Sequence, residues 1–381
     1  MSHGKSEAYS PLKITRHLNV IQDIRDGRVA PPVHVQLIIS DLCNHSCGFC
    51  AYRDPGYTSS QLFYQISAKP GGLRRDGEHP ERDYNPNRQI PWPKIKEILA
   101  DCADMGVRAI QYTGGGEPTV HPQWLEAIVE TDRLGMDAAM VSNGVLIQNQ
   151  RDAELTALCK WVRISIDAGD AATYAGIRGC SETHFQRAWD AVTFLRRARE
   201  RMGTGTLLGV GFVVTPDNWG GVLKAARLAK TAGDDNFRIS AQFSSEAERP
   251  FSGFAKACAD LCEQAESELN DKHFHVFNRF SSRLDDLKQA PDYDRCGYQY
   301  VTTYIGGDQN AYRCCIQSYN DRGLLGSIKD QKFSQLWNAQ RRLHDMQAFD
   351  ARSCAACQFN NINRTLDYVL NHDDPTHSNF I

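Results

Sequence analysis

The 381-residue chain has no apolar run near the ~20 residues that a membrane-spanning helix needs. Residues 1–18 are polar and mixed in charge, without the apolar stretch of a secretory signal. Neither sign of charge is in excess: 43 basic against 46 acidic residues leave a formal net charge of −3. The footprint of a duplex nucleic-acid partner or an anionic membrane surface is therefore missing. A basic cluster such as Arg196, Arg197, Arg199 and Arg201 follows a helical pattern with Glu200 among them and reads as a solvated face. Repeats and low-complexity tracts are also lacking. What these absences leave is a globular chain, 41% hydrophobic, expected in the cytoplasm. In that reducing setting its thirteen cysteines point to metal binding or catalysis before disulfides.

Residues 33–240 alternate short apolar runs with amphipathic segments. VHVQLIIS (33–40), VRAIQYT (107–113), MDAAMVS (136–142), WVRISID (161–167), TLLGVGFVVT (206–215) and FRISAQF (237–243) read as strands. Helical patterns fall between them at 90–106, 123–135, 151–159, 184–203 and 220–233. This order predicts an α/β fold of parallel strands with crossover helices. One connection breaks the rhythm. Residues 52–89 are rich in Gly, Pro, Arg and Tyr, and a stretch of this length is expected to be a substrate-covering lid, lined by Tyr57, Phe63, Tyr64 and Tyr84. After residue 290 the alternation stops. The expected organisation is an N-terminal segment 1–32, a barrel domain 33–290 and a small cysteine-bearing domain 291–381.

SDLCNHSCGFCAYRDP (40–55) follows the first strand directly and spaces Cys43, Cys47 and Cys50 as C-x3-C-x2-C. Loops at the carboxyl ends of parallel strands carry chemistry. Three thiolates can wrap one small object, yet a tetrahedral zinc or a cubane iron–sulfur cluster takes four ligands. From spacing alone both readings stand.

CNHSCGFC resembles the signature of the radical S-adenosylmethionine (SAM) superfamily, with the aromatic Phe49 before the last cysteine. The resemblance implies a partial (β/α)6 TIM-like barrel over roughly 33–245. It also implies a 4Fe–4S cluster on Cys43, Cys47 and Cys50, whose open iron takes SAM itself. Reductive cleavage of SAM then gives a 5′-deoxyadenosyl radical. QYTGGGEPTVHP (111–122) resembles the family's GGE motif, placing Gly115, Gly116 and Glu117 at the methionine amino group. Glycine permits close backbone approach, and Glu117 offers an acceptor for an ammonium. Ser142 and Asn143 (ribose), Ser165, and Arg178 in the IRG loop (SAM carboxylate) match other SAM-contacting positions. Asp167 reads equally as the cap of the next helix. Cys180, two residues beyond Arg178, is a candidate hydrogen-atom donor.

CGYQYVTTYIGGDQNAYRCC (296–315) and SCAACQF (353–359) resemble the twitch/SPASM extensions of the same family, in the shorter form that carries one auxiliary 4Fe–4S cluster. The ligands so implied are Cys296, Cys314, Cys354 and Cys357, with Cys315 the alternative to Cys314; a structural zinc is the other reading. The expected function is a radical SAM enzyme, an oxidoreductase or isomerase, acting on a small molecule such as a sugar, aminoglycoside-like compound or nucleoside. Flavodoxin or ferredoxin would be the electron donor, and the auxiliary cluster would oxidise the substrate radical. Redox-neutral epimerisation, and modification of a peptide, protein or DNA base, are the alternatives; an iron–sulfur or zinc protein without catalysis is the remote one. The ~30 residues before the first strand are too few for a winged-helix leader-binding domain, which favours the small molecule.

Overall fold

The computed structural model describes residues 9–52, 88–244 and 246–371. Seven strands lie side by side in chain order: β1 (His34–Leu37), β2 (Ala109–Tyr112), β3 (Asp137–Ser142), β4 (Trp161–Ser165), β5 (Leu207–Val214), β6 (Asn236–Ala241) and β7 (His275–Asn278). All neighbouring pairs among them are parallel. Before them comes α1 (Leu18–Arg25). The crossovers are α2 (Trp92–Met105), α3 (Trp124–Arg133), α4 (Gln150–Thr156), α5 (Ala171–Arg178) with α6 (Thr183–Met202), α7 (Val222–Ala232) and α8 (Ala255–Leu269). The six strands expected from the sequence occupy β1–β6, and β7 extends the barrel by one. The four-residue HVFN of β7, buried only at Val276, is too short to give a clear alternation. The insertion expected over 52–89, with its aromatic residues, falls outside the described residues from 53 to 87.

β1, β2 and β4 alternate half-buried and buried positions. Val35, Leu37, Ile110, Tyr112, Val162 and Ile164 form part of the fully buried layer under the helices. The opposite positions, among them His34, Gln36, Gln111, Arg163 and Arg238, line a cavity inside the barrel. The interior of the barrel is thus a polar lumen. Glycines in the left-handed region stop α2 at Gly106 and α5 at Gly179, where an L side chain would be strained.

The C-terminal stretch carries α9 (Phe280–Lys288), α10 (Tyr298–Val301), β8 (Thr302–Ile305), β9 (Asn310–Tyr312), β10 (Leu324–Ser327), α11 (Phe333–Trp337), α12 (Gln340–Ala348) and α13 (Asn360–Asn371). β8 pairs parallel with β1, and β9 and β10 follow antiparallel. The ten-stranded sheet therefore runs from β10 to β7 and remains an open, partial barrel. It also crosses residue 291, so the segments on either side of that position share one sheet. α11 locks against the barrel: Asp101 on α2 accepts hydrogen bonds from the backbone N–H (2.6 Å) and hydroxyl (2.7 Å) of Ser334. Trp337 is buried and its indole N–H donates to the Ala30 carbonyl at 2.8 Å.

This docking makes one prediction. Trp337→Ala removes a buried ring from the seam and should cost about 3–5 kcal/mol, read by urea unfolding as one transition coincident by near- and far-UV circular dichroism. A separate, early transition would mean that the C-terminal stretch unfolds alone.

Candidate active site

β1 ends at Leu37, and the chain from Asp41 to Cys50 forms a loop strapped down by its own backbone. Ser46 N–H donates to the Arg178 carbonyl at 2.9 Å and Gly48 N–H to that of Ile177 at 3.0 Å. Leu42 carbonyl accepts from Glu117 N–H at 2.8 Å. The C-terminus of α5 and the glycine-rich turn after β2 therefore hold the cysteine loop from two sides. Burial pushes the Cys47 thiol up to about 12, with Arg178 opposing and the Cys43 and Cys50 sulfurs adding to the rise. Buried thiols in this state ionise when a metal displaces the proton.

The glycines of TGGGE are demanded by the chain itself. A Cβ on Gly116 would run into the Leu42 carbonyl and the Asp41 backbone. One on Gly115 would sit 2.6 Å from the Asp41 carboxylate and 2.8 Å from the Tyr319 hydroxyl. The close approach expected toward a ligand is thus, at Gly116, a close approach to the cysteine loop. Glu117 is buried, and its carboxylate accepts from Thr119 N–H (3.1 Å), the Thr119 hydroxyl (2.7 Å), the Ser142 hydroxyl (2.7 Å) and Asn143 N–H (2.8 Å). Burial raises its pKa and these donors pull it back. The structure brings Glu117, Ser142 and Asn143 into one knot, and the Asn143 amide donates to Asn44 in the cysteine loop at 2.6 Å.

Arg178 terminates α5 and does not lie in a loop as the sequence suggested; Asp170 caps that helix by accepting from Thr173 N–H at 2.9 Å. Asp167, read as a cap, does something else. It forms a buried ion pair with Arg178 and accepts from Val213 N–H at 2.7 Å. Its backbone adopts φ 58°, a left-handed conformation that Asp tolerates better than bulkier residues. Arg178 also donates to the Ser165 carbonyl at 2.7 Å, and its guanidinium stands 5.1 Å from the Tyr174 ring centroid and 6.0 Å from that of Phe49. Its Nε is buried without a hydrogen-bond partner.

All these groups converge on one cavity of about 330 Å³, lined by Cys43, Cys47, Cys50, Phe49, Gly114–Glu117, Ser142, Asn143, Ser165, Asp167 and Arg178. Three thiols, a pocket wall of backbone and an arginine Nε without a partner fit a metal cluster with a polar, charged organic ligand beside it. His45 and Tyr52 line it too, and sequence reasoning passed over both. Their one available signal was position within and just after the cysteine run.

Cys180 is not among the described residues that line this cavity. The left-handed turn at Gly179 sends it to the other side of the loop, where its sulfur lies within 4.8 Å of one ring nitrogen each of His45 and His184. The His45 Nε2 to His184 Nδ1 distance is 3.0 Å, and Arg178 Nη1 faces His45 Nδ1 at 3.5 Å. A cationic donor at Nδ1 favours the tautomer with the proton on Nε2, which donates to His184.

The second cysteine set surrounds a small cavity. Cys296, Cys314, Cys354 and Cys357 line it with Tyr293, Tyr298, Phe349 and Phe359, while Cys315 does not. Cys315 instead accepts from the Gln358 amide at 2.8 Å and packs against the cluster of Ile38, Tyr304, Tyr312 and Tyr319. Cys357 accepts from Phe359 N–H (3.4 Å) and the Asn363 amide (3.6 Å), donors of the kind that tune cluster sulfurs. Among the described residues no three of these four sulfurs fall within 4.8 Å of one another. Thiolates around a single zinc, at Zn–S of about 2.3 Å, would. The wider spacing fits a polynuclear group.

Residues 37–226 match the model of the Radical SAM superfamily. A GTP 3′,8-cyclase of Chlorobaculum tepidum is 27% identical over 146 residues, 38% of this chain and 36% of that protein. The mycofactocin maturase MftC of Mycobacterium ulcerans is 27% identical over 282 residues, 69% of this chain and 71% of its own. The matched part thus spans well under half the length of that cyclase. Among solved structures, Streptococcus suis SuiB bound to its precursor peptide SuiA overlays 92% of this chain and 75% of its own, with a TM-score of 0.58 at 14% identity. anSMEcpe with AdoMet and a peptide overlays 90% of this chain and 91% of its own, at TM-score 0.53 and 15% identity. At such identities the likeness is one of fold.

The contact at Gly116 yields a test. Gly116→Ala should destabilise by about 1–3 kcal/mol and lower the iron bound per chain, measured by thermal melts and iron assay. Gly176→Ala, inside α5 with open space around it, should leave iron unchanged and melt at or above the parent temperature.

Proposed function

From the membership of this chain in the radical SAM superfamily, we propose that it abstracts one hydrogen atom from a polar small molecule held in the barrel and oxidises the substrate radical. The observation that carries this reading is the single cavity in which Cys43, Cys47 and Cys50 meet Gly115, Gly116, Glu117, Ser142, Asn143, Ser165 and Arg178. Its neighbour, the polar lumen, has room for a small substrate.

In this reading Cys43, Cys47 and Cys50 hold a 4Fe–4S cluster, and Phe49 and the residues just named seat SAM. The cluster with SAM supplies a 5′-deoxyadenosyl radical. The chain does the rest by placement. Arg178, fixed by Asp167 and by the Ser165 carbonyl, presents its buried Nε to the SAM carboxylate. Glu117, held by four donors, keeps the turn after β2 pressed against the cysteine loop. The apolar walls and the packed loop exclude water from a reactive intermediate.

Cys296, Cys314, Cys354 and Cys357 would hold one auxiliary 4Fe–4S cluster. Four thiolates leave no open iron there, which suits acceptance of an electron better than direct substrate binding. Residues 33–290 would then serve as the SAM module and 291–381 as the auxiliary one, in a reducing cytoplasm where a flavodoxin or ferredoxin supplies electrons. Among the described residues no helix is long and apolar enough to cross a membrane. Cys180, away from the cavity, gives little support to a redox-neutral reaction with a thiol hydrogen donor.

A second reading, a peptide substrate, is favoured by the two fold neighbours above, both captured with peptides. One experiment separates them. Anaerobically reconstituted protein with SAM and dithionite should form 5′-deoxyadenosine above the uncoupled background when given the small-molecule fraction of a host extract. Stimulation by the peptide fraction alone would replace the first reading with the second. Cys47→Ala should abolish SAM cleavage and lose about half the iron, keeping the auxiliary cluster. Cleavage retained in that variant would overturn the assignment of the cysteine loop.

A further inference from the structure

Beside the SAM pocket lies a larger cavity, about 690 Å³, within the barrel. Tyr52, Gly114, Arg238 and Gln358 line both, so the two spaces adjoin. Such a volume suits a small-molecule ligand. The interiors of closed α/β barrels are filled by layers of branched apolar side chains. Here the inward positions of β4 and β6 carry Arg163 and Arg238, and β5 faces them with glycines. A Cβ on Gly211 would stand 3.3 Å from Arg163 Cδ, and one on Gly209 would collide with the Asn236 amide. The glycines leave space that these polar side chains use.

The charge of this cavity is one-sided. Lys13, Arg163 and Arg238 line it, and among the described lining residues there is no aspartate or glutamate. Asp167, which lines the adjoining pocket, is engaged with Arg178. Arg238 Nε is buried with no hydrogen-bond partner, and the guanidinium stands 5.3 Å from the Tyr9 ring centroid. Burial draws the Arg238 pKa down to about 9, and Arg163, Arg283 and Arg279 add repulsion that Tyr9 offsets only in part. Like charges gathered in a low-dielectric cavity persist where a ligand of opposite charge balances them.

We infer that the lumen seats an anionic group of the substrate, a phosphate ester or a carboxylate, on Arg163 and Arg238, with the carbon to be attacked toward the SAM pocket. This deepens the reading above and rests on it. Arg238 sits where both cavities meet, so an anion fixed on it and on Arg163 fixes the rest of a small substrate against the cysteine loop. Arginine's planar fork suits both anion types.

The test uses the reconstituted full-length protein under anaerobic conditions. Inorganic pyrophosphate, glutarate and, as a neutral control, glucose are titrated at constant ionic strength, by calorimetry and by thermal melts. One or both anions should bind and raise the melting temperature, and glucose should not. Preference for pyrophosphate would assign a phosphate ester, and preference for glutarate a carboxylate. Arg163→Met should weaken the favoured anion at least about ten-fold, and Arg163→Lys, which keeps the charge, should lose less. SAM affinity should not change in either, because Arg163 lies outside the SAM pocket. No anion response, an equal response in parent and Arg163→Met, or a response to glucose alone would overturn the inference. Intact SAM binding with no anion response would leave the reading of the SAM pocket standing; loss of SAM binding in the parent would bring that reading down first.

Discussion

The buried ion pair between Arg178 and Asp167 is the constraint on which the site is built. Asp167 closes β4, and Arg178 closes α5, the helix that follows it. Their pairing folds that helix end back over the strand ends, and the carbonyls of Ile177 and Arg178 are thereby placed to accept from Gly48 and Ser46. The cysteine loop thus hangs on the same residue that presents a cation to the cavity. Two buried charges left unpaired would cost several kcal/mol each, so removing one partner damages both the loop and the pocket. Val213 N–H on the neighbouring strand and the Asn218 amide, which donates to the Asp167 carbonyl at 2.8 Å, hold the aspartate in its left-handed turn. Strain of that kind persists only where surrounding contacts over-determine it.

Much of this was legible in the sequence because the elements are local. The alternation that marks β1–β6, the glycine that stops α2 and the spacing of Cys43, Cys47 and Cys50 all sit within a few consecutive residues. The resemblance of CNHSCGFC and TGGGEP to the radical SAM pattern then placed the chemistry on loops after the first two strands. What was illegible is pairing across distance. Nothing near Asp167 announces that it meets Arg178 instead of capping a helix, since Asp170 stands three residues on and fits a cap equally well. Similarly, the glycines of TGGGE read as room for a ligand, yet Gly116 is needed because Leu42 passes over it. The polar lumen is hidden in the sequence for a third reason. Gln36, Gln111, Arg163 and Arg238 occupy every second position of strands whose other face is fully buried, and only the curvature of the sheet turns those positions toward a common interior.

The two cysteine sites are joined by a buried cluster drawn from both cysteine-bearing stretches and from Tyr319. Asp41, two residues before the first cysteine of the loop, accepts from the Tyr319 hydroxyl. Tyr319 packs with its ring centroid 5.9 Å from that of Tyr52, 5.8 Å from Tyr304 and 5.4 Å from Tyr312. Tyr52 lines the cavity of the first three cysteines just past Cys50, and Cys315, next to Cys314, packs on the same aromatic group. Burial, then Asp308, pushes the Asp41 carboxyl up to about 7 while Tyr319 pulls it back. The hairpin β8–β9 contributes to this cluster and also pairs with β1, so the strand that launches the first cysteine loop is edge-bonded to the segment carrying Cys314. Sheet, tyrosines and carboxylate together fix the distance between the two thiol sets. In the proposed reading, a separation set by a continuous sheet and a packed aromatic cluster is the kind that transfer of an electron to the auxiliary centre would need. It would be lost if the C-terminal stretch were a tethered, independently moving domain.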